Sequence, residues 1–234
     1  MADPHPRGFL TERIIERLRS AIMEGELQLG ELLSEDKLAL SLGVSRSPVR
    51  KAFAALEQQG LIVVRPQRGS FVFRPTARDI DDLAQFRRLI EVEMLRLAFR
   101  DKRGATLAAM KHAAQTMHHA LESGDAVAAA RADMAFHDAM IENCDNSYLM
   151  AAYRMVAGKV AALRSHRAVS PDQLRASAEH FQIIEMLERG DLSGASDLLG
   201  EHILKMADRF KEELPTERRP GRGPVLDRIG PLED

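Results

Sequence analysis

The chain predicts a mainly α protein in two parts. A small N-terminal part combines short helices with a β-hairpin, and a larger C-terminal part is an all-α bundle of six helices. Three observations carry this reading. Apolar residues recur at helical spacing through most of the 234 residues. A single short stretch, Leu61 to Phe73, has the β-branched and aromatic character of paired strands around a turn. Aromatic residues make up only 5% of the chain and Trp is absent, while Met numbers 11, which favours packed helices over a β-sandwich.

The elements follow in order. Leu10, Ile14, Leu18 and Ile22 share one helix face, with Thr11 placed to cap and Gly25 to end the run. Ser34-Glu35-Asp36 opens a second helix, because a serine cap followed by two acids suits the positive end of a helix dipole. Leu38, Ala39 and Leu42 give it an apolar face, and Gly43 turns the chain. Ser45-Arg46-Ser47-Pro48 starts a third helix, since proline is tolerated in a first turn. Its inner face is Val49, Ala52, Phe53 and Leu56, and Gly60 ends it. Leu61 to Val64 and Phe71 to Phe73 are the two strands, joined by a turn at Pro66-Gln67-Arg68-Gly69.

After Pro75 the pattern is helical throughout. Six amphipathic segments cover about 79–100, 104–122, 125–142, 147–168, 171–189 and 193–213. Breaks fall at Gly104, Gly124, Asp145-Asn146, Ser170-Pro171 and Gly190-Asp191. Residues 215–234 hold four of the 10 prolines and cannot continue a helix, so they read as a disordered tail. The expected domains are therefore 1–75, 76–214 and the tail 215–234.

Composition limits the function. A chain 45% hydrophobic and 29% charged can bury a core and stay in solution. One cysteine, Cys144, excludes a disulfide framework and a cysteine-rich zinc module. No apolar run approaches the roughly 20 residues that span a bilayer, and residues 1–8 do not read as a signal peptide. A cytoplasmic protein with no membrane partner is expected. Net charge is only −2, but residues 44–74 carry six basic side chains against one acid, Glu57. That local surplus is an electrostatic footprint for nucleic acid, or else a solvated charged face.

Two short helices around Gly43 followed by a hairpin make a winged helix-turn-helix. With Val49, Ala52, Phe53 and Leu56 inward, the third helix presents Ser45, Arg46, Ser47 and Arg50 outward. Helix-turn-helix proteins bring this part of the second helix of the motif to base edges in the major groove. Arginine pairs bidentately with guanine, and serine contacts phosphates or bases. Arg68 and Gly69 at the wing tip are placed for a phosphate or the minor groove.

The segment Leu33-Ser34-Glu35-Asp36-Lys37-Leu38-Ala39, then Leu42-Gly43-Val44-Ser45-Arg46-Ser47-Pro48-Val49-Arg50, and later Arg68-Gly69-Ser70-Phe71-Val72, resembles the GntR family of bacterial transcriptional regulators. The resemblance implies a double-stranded DNA operator as partner. It departs from the family at Leu33, where proline is usual, and at Asp36, where a basic residue is common. The basic side chain sits one place later, at Lys37, the remaining candidate for a DNA contact from that helix. Lys51 stands where the family commonly has Glu.

In the second part, Asp133 and His137 are four apart and share a helix face with Ala130, Met134 and Ile141. His180 falls on the apolar side of the fifth segment and His202 on that of the sixth. Three imidazoles and a carboxylate suit Zn²⁺, Ni²⁺ or Mn²⁺. Core histidines and a simple Asp–His pair would leave the same pattern. Asp133-x-x-Phe136-His137, Asn146-x-x-Leu149, Glu179-His180, Gly190-Asp191, Ala195 and His202 resemble the FCD effector domain of the FadR-like subfamily, in its six-helix VanR-like form. That resemblance implies a divalent metal, zinc first, on Asp133, His137, His180 and His202. Such a site leaves coordination positions that a small organic acid effector would fill, and a homodimer is expected because two-fold protein symmetry matches two-fold DNA symmetry.

Arg87 and Asn146 are the candidates for effector binding. Arg87 can equally form a structural pair with Glu91 one turn later, and Asn146 can be a helix cap. Glu179, although adjacent to His180, is expected to point elsewhere on its helix. The expected protein is not an enzyme but a ligand-responsive repressor on a palindromic operator. Two other readings stay open: a regulator whose metal is purely structural, and a metal-dependent hydrolase, which would need a general base beside the metal.

Overall fold

A computed structural model describes residues 7–165, 171–213, 229 and 232. The chain divides into two compact units. The first comprises residues 1–74, 158–166 and 215–234, and the second residues 75–157 and 167–214. No helix among the described residues is long and apolar enough to cross a membrane.

The first unit contains α1 (Arg7–Met23), β1 (Leu32–Leu33), α2 (Glu35–Ser41), α3 (Arg46–Gln58), β2 (Ile62–Arg65) and β3 (Gly69–Val72). The helical spacing of α1 starts one turn earlier than the expected cap, so Thr11 lies inside the helix. The sheet has three strands in the order β1-β3-β2, all antiparallel, rather than the two expected. β1 is only two residues, too short to show an alternation in the sequence, and pairs Leu32 with Phe71 and Leu33 with Ser70. β2 pairs Ile62 with Val72 and Arg65 with Gly69.

Ile14, Leu18 and Ile22 of α1 meet Leu38, Val49, Phe53, Leu56 and Ile62 in one core. These side chains are 0–3% exposed, so the amphipathic stripes read from the sequence are the surfaces that pack. Ser34 caps α2 by accepting from the Lys37 amide at 3.4 Å. The helix-turn-helix angle is set at Gly43, whose φ of +67° is left-handed. There the Val44 amide donates to Ala39 at 2.9 Å and the Gly43 amide to Leu40 at 3.2 Å, closing a Schellman turn. Residues from Gly158, the later part of α6 (Ser147–Ser165), group with this unit rather than with the 76–214 part expected from the sequence. Ala162 is part of the core.

Of the tail, the structure describes Ile229 and Leu232; the rest of the expected disorder lies outside the described residues. Ile229 is buried in the same core and its carbonyl accepts from the Ser41 hydroxyl.

The second unit is built from α4 (Ala77–Ser123), α5 (Ala126–Asn143), the start of α6, α7 (Pro171–Glu188) and α8 (Leu192–Glu213). α4 holds two of the six expected segments. The interruption is at Lys102 (φ −136°, ψ 39°), and the chain resumes its helix through Gly104, where the break was expected. Thr76 and Asp79 form a capping box at its start. Arg103 donates to the carbonyls of Leu187 (3.1 Å) and Glu188 (3.4 Å), satisfying the open end of α7. Lys211 and Asp81, 2.5 Å apart, join the end of α8 to the start of α4. Met94, Leu95, Met110, Ala114, Phe136, Met140, Ile183 and Leu199 form the buried interior, with alanines keeping the helices close.

A Cβ at Gly43 would meet nothing within 4 Å, so substitution there costs only backbone strain. Gly43→Ala should lower unfolding free energy by about 1–2 kcal/mol in a denaturant titration. An unchanged midpoint would show that the turn tolerates another conformation.

Candidate functional site

Two surfaces carry chemistry. The first is the outward side of α3. With Val49, Ala52, Phe53 and Leu56 buried, Ser45, Arg46, Ser47, Arg50 and Lys51 are all exposed, as are Lys37 on α2 and Arg68 and Gly69 at the β2–β3 turn. Ser45 occupies the N-cap of α3 but makes no side-chain cap bond. The turn is tight enough to put Gln67 at φ +61°, and Arg68 donates its amide to Arg65 at 3.0 Å. The Arg65 guanidinium lies over the Phe71 ring, 5.2 Å from its centroid. Two acids of α2 reach this side: Asp36 pairs with Arg46 at 2.6 Å and Glu35 with Arg50 at 3.1 Å. The sequence placed these acids at a helix start but gave no sign of their partners on α3.

The second is a polar cluster inside the helical unit. α5 supplies Asp133 and His137, α7 His180 and α8 His202, all buried. One ligand atom from each lies within 4.8 Å of all the others. His180 Nε2 is 3.4 Å from Asp133 Oδ1 and 3.3 Å from His202 Nε2. His137 Nε2 is 4.0 Å from Asp133 Oδ1. The Phe136 ring stacks on His180, centroids 3.8 Å apart and 10° from parallel, and fixes the plane of that imidazole.

Two further carboxylates orient the histidines. Glu91, fully buried on α4, lies 2.6 Å from His137 Nδ1. Glu179 lies 2.7 Å from His202 Nδ1. Glu179 points away from its neighbour His180, as expected, but it is not clear of the cluster: it reaches the next helix, where it meets His202. With Nδ1–H donating to a carboxylate, each of these imidazoles turns Nε2 toward the cluster.

Glu91 is held in turn by Arg87, whose Nε and a terminal nitrogen donate to it at 2.6 and 3.3 Å. Burial disfavours the Glu91 charge, but the Arg87 charge and the His137 contact outweigh it and hold the carboxyl well below its ordinary range. Burial likewise opposes the Arg87 charge, and Glu91 more than compensates. The hydrogen bond from His202 lowers the Glu179 carboxyl against a smaller opposing effect of burial. Of the two readings open for Arg87, the geometry realises the Glu91 pair. Asn146 caps α6, its side-chain oxygen accepting from the amides of Tyr148 and Leu149 at 3.1 Å each.

The donor set fits a divalent cation on two grounds. Tetrahedral bonds of about 2.0–2.1 Å separate ligand atoms by roughly 3.3 Å, near the two shortest separations here. Asp133 also adds a carboxylate oxygen to three imidazole nitrogens, the donor types that divalent transition ions take. Glu91 and Glu179 were missed as orienting residues. Glu91 was legible as one turn from Arg87, but its second partner comes from a helix 46 residues away.

A winged helix-turn-helix unit and a helical unit with a buried polar cluster, in one chain, are the parts of a DNA-binding regulator with a sensor domain. The comparisons with known proteins agree. The model for "Bacterial regulatory proteins, gntR family" matches residues 10–72, and the model for the FCD domain matches residues 82–205. The chain belongs to the GntR family of bacterial transcriptional regulators and carries an FCD effector domain, as in the FadR-like architecture. It is 28% identical over 188 residues to the "Probable D-xylose utilization operon transcriptional repressor" of Paenarthrobacter nicotinovorans, covering 78% of this chain and 80% of that protein. It is 24% identical over 210 residues to the transcriptional repressor RspR of Escherichia coli, covering 89% and 92%. Its fold is similar to that of a GntR transcriptional regulator from Rhodococcus sp. RHA1, with a TM-score of 0.74, 26% identity, and coverage of 89% of this chain and 99% of that one.

Removing Glu91 would leave Arg87 buried without its counter-charge. Glu91→Ala should therefore destabilise the protein by about 3–5 kcal/mol in denaturant unfolding. A loss under 1 kcal/mol would mean that water reaches Arg87.

Proposed function

We propose that this regulator is a repressor that binds a palindromic operator as a homodimer and responds to a small organic acid at a metal-containing pocket of its FCD domain. The observation that carries the reading is the buried Asp133/His137/His180/His202 set, with carboxylates behind two of its histidines. Such backing is the arrangement of metal-ligating histidines. Asp133, His137, His180 and His202 would hold the ion. When bound, a divalent cation supplies open coordination positions that an anionic effector can fill. Three imidazoles with one carboxylate favour zinc, with nickel or manganese as the alternatives.

The chain's own residues prepare that site. Glu91 and Glu179 fix the tautomers and planes of His137 and His202. Arg87 keeps Glu91 ionised, so its contribution to effector binding runs through Glu91 and the field it sets in the pocket. Asn146 uses its side-chain oxygen to cap α6, so an effector contact there would fall to its amide nitrogen. Hydrolysis is disfavoured: the carboxylates beside the cluster are engaged in holding imidazoles and a guanidinium, and the relatives are named as regulators.

On DNA, α3 reads the major groove with Arg46, Arg50, Ser45 and Ser47, while Lys37, Arg68 and Gly69 contact the backbone. Two-fold protein symmetry then matches a two-fold operator. Effector binding shifts the balance between operator-competent and incompetent arrangements, with a coupling of about 1–3 kcal/mol, or 5- to 150-fold in affinity.

Elemental analysis of protein never exposed to a chelator or metal-affinity resin should find about one zinc, nickel or manganese per chain. His137→Ala with His180→Ala should abolish it. Full metal content in that double variant would sink the site assignment. Small carboxylates that raise the melting temperature of the metal-loaded protein support an effector pocket; if only chelation moves it, the metal is structural. Arg46→Ala should weaken operator binding by about 1–3 kcal/mol and relax the preference at one base pair. An equal loss on operator and random DNA would reduce Arg46 to a phosphate contact.

A further inference from the structure

The acids at the start of α2 stand where a DNA-reading surface would be expected to carry positive charge only. Asp36 is exposed, as is its partner Arg46, at 58% and 66% of their side-chain surfaces. An exposed ion pair of this kind contributes little to stability, so fold maintenance does not account for it. Its geometry is specific. Asp36 Oδ1 meets the Nε of Arg46 at 2.6 Å, the edge of the guanidinium nearest the backbone. One turn along, Glu35 Oε2 accepts a hydrogen bond from the Nε of Arg50 at 3.1 Å. In both pairs the closest approach of the carboxylate is to Nε.

From this we infer that Asp36 is a specificity-determining positioning residue for DNA: its ion pair with Arg46 restrains where that guanidinium lies before it meets a base. The inference rests on the proposed base contact by Arg46. A guanidinium has several ways to present two donors, and a free one also settles on any phosphate. A carboxylate held against the Nε edge favours the terminal pair, which matches the O6 and N7 acceptors of guanine. The carboxylate also repels phosphates, which penalises backbone-only binding while an arginine seated on a base keeps its own counter-charge beside it.

The scaffold suits this role. Asp36 is placed by a capped helix start at Ser34, and the following Leu38 and Ala39 are buried in the core that also holds Val49 of α3. The carboxylate and the guanidinium thus project from backbones fixed by one set of apolar contacts.

The test uses the full chain and a randomised duplex pool, with base preferences profiled for the wild type, Asp36→Asn, Arg46→Ala and the double variant. Affinity for random duplex is measured in parallel at fixed salt. Asp36→Asn should relax the same base pair that Arg46→Ala relaxes, lowering its preference by about 5- to 20-fold, while affinity for random duplex rises. In the Arg46→Ala background Asp36→Asn should relax nothing further. Asp36→Glu, which keeps the charge, should retain part of the preference and covers the case in which the asparagine variant misfolds. If Asp36→Asn raises binding to all duplexes equally and leaves the base profile intact, Asp36 is only a repelling charge and the inference falls. Relaxation that persists without Arg46 also overturns it, since Asp36 would then act on the DNA itself. If Arg46→Ala changes no position in the profile, the base-contact reading fails first and takes this inference with it.

Discussion

A charge removed from water must find its counter-charge inside the protein, and the helical unit is organised by that requirement. Glu91 has no exposed surface, yet it sits between Arg87 and His137 and stays ionised. Glu91 and Arg87 come from one face of α4, a turn apart; His137 comes from α5. The contact between them fixes how these two helices lie along each other more narrowly than leucine and alanine packing would. Apolar surfaces tolerate small slides, whereas a 2.6 Å contact to a buried carboxylate does not.

From that contact the remaining side chains of the cluster fall into place. His137 is oriented by Glu91, and Asp133 lies one turn before it on α5. His180 is held flat against Phe136 of the same helix, and His202 is held by Glu179 of α7. Each side chain of the cluster is positioned by a neighbour on a different helix or by its own helical register. The cost of gathering three imidazoles and an acid away from water is thus met by the carboxylates and guanidinium around them, and by a cation if one binds.

The two units share one chemical device. In the helical unit, carboxylates take the Nδ1 edges of His137 and His202 and leave Nε2 turned to the ligand cluster. On the helix-turn-helix, carboxylates take the Nε edges of Arg46 and Arg50. In both cases an acid lies against the inner nitrogen of a delocalised group. Burial separates the two uses. In the first the acids are shielded and the contacts are strong; in the second they are exposed, and their value lies in direction rather than stability.

The sequence by itself determined the helix faces, the turns and the four residues that gather in the buried polar cluster. Spacing of Leu38, Val49, Phe53 and Leu56 sufficed to assign the outward residues of α3, because a helix that buries one stripe exposes the other. Gly43 marked the turn because a left-handed residue favours glycine. Asp133 and His137 were legible as a pair because four residues make one turn. Only the tertiary structure decided who orients whom. Glu91 reaches His137 across 46 residues, Glu179 reaches His202 across a helix pair, and Asp36 reaches Arg46 across the helix-turn-helix. Strand β1, two residues long, exists only because β3 lies beside it. Local periodicity encodes which face of an element is buried, but a partner on another element depends on how the elements pack, and that is settled by the fold as a whole.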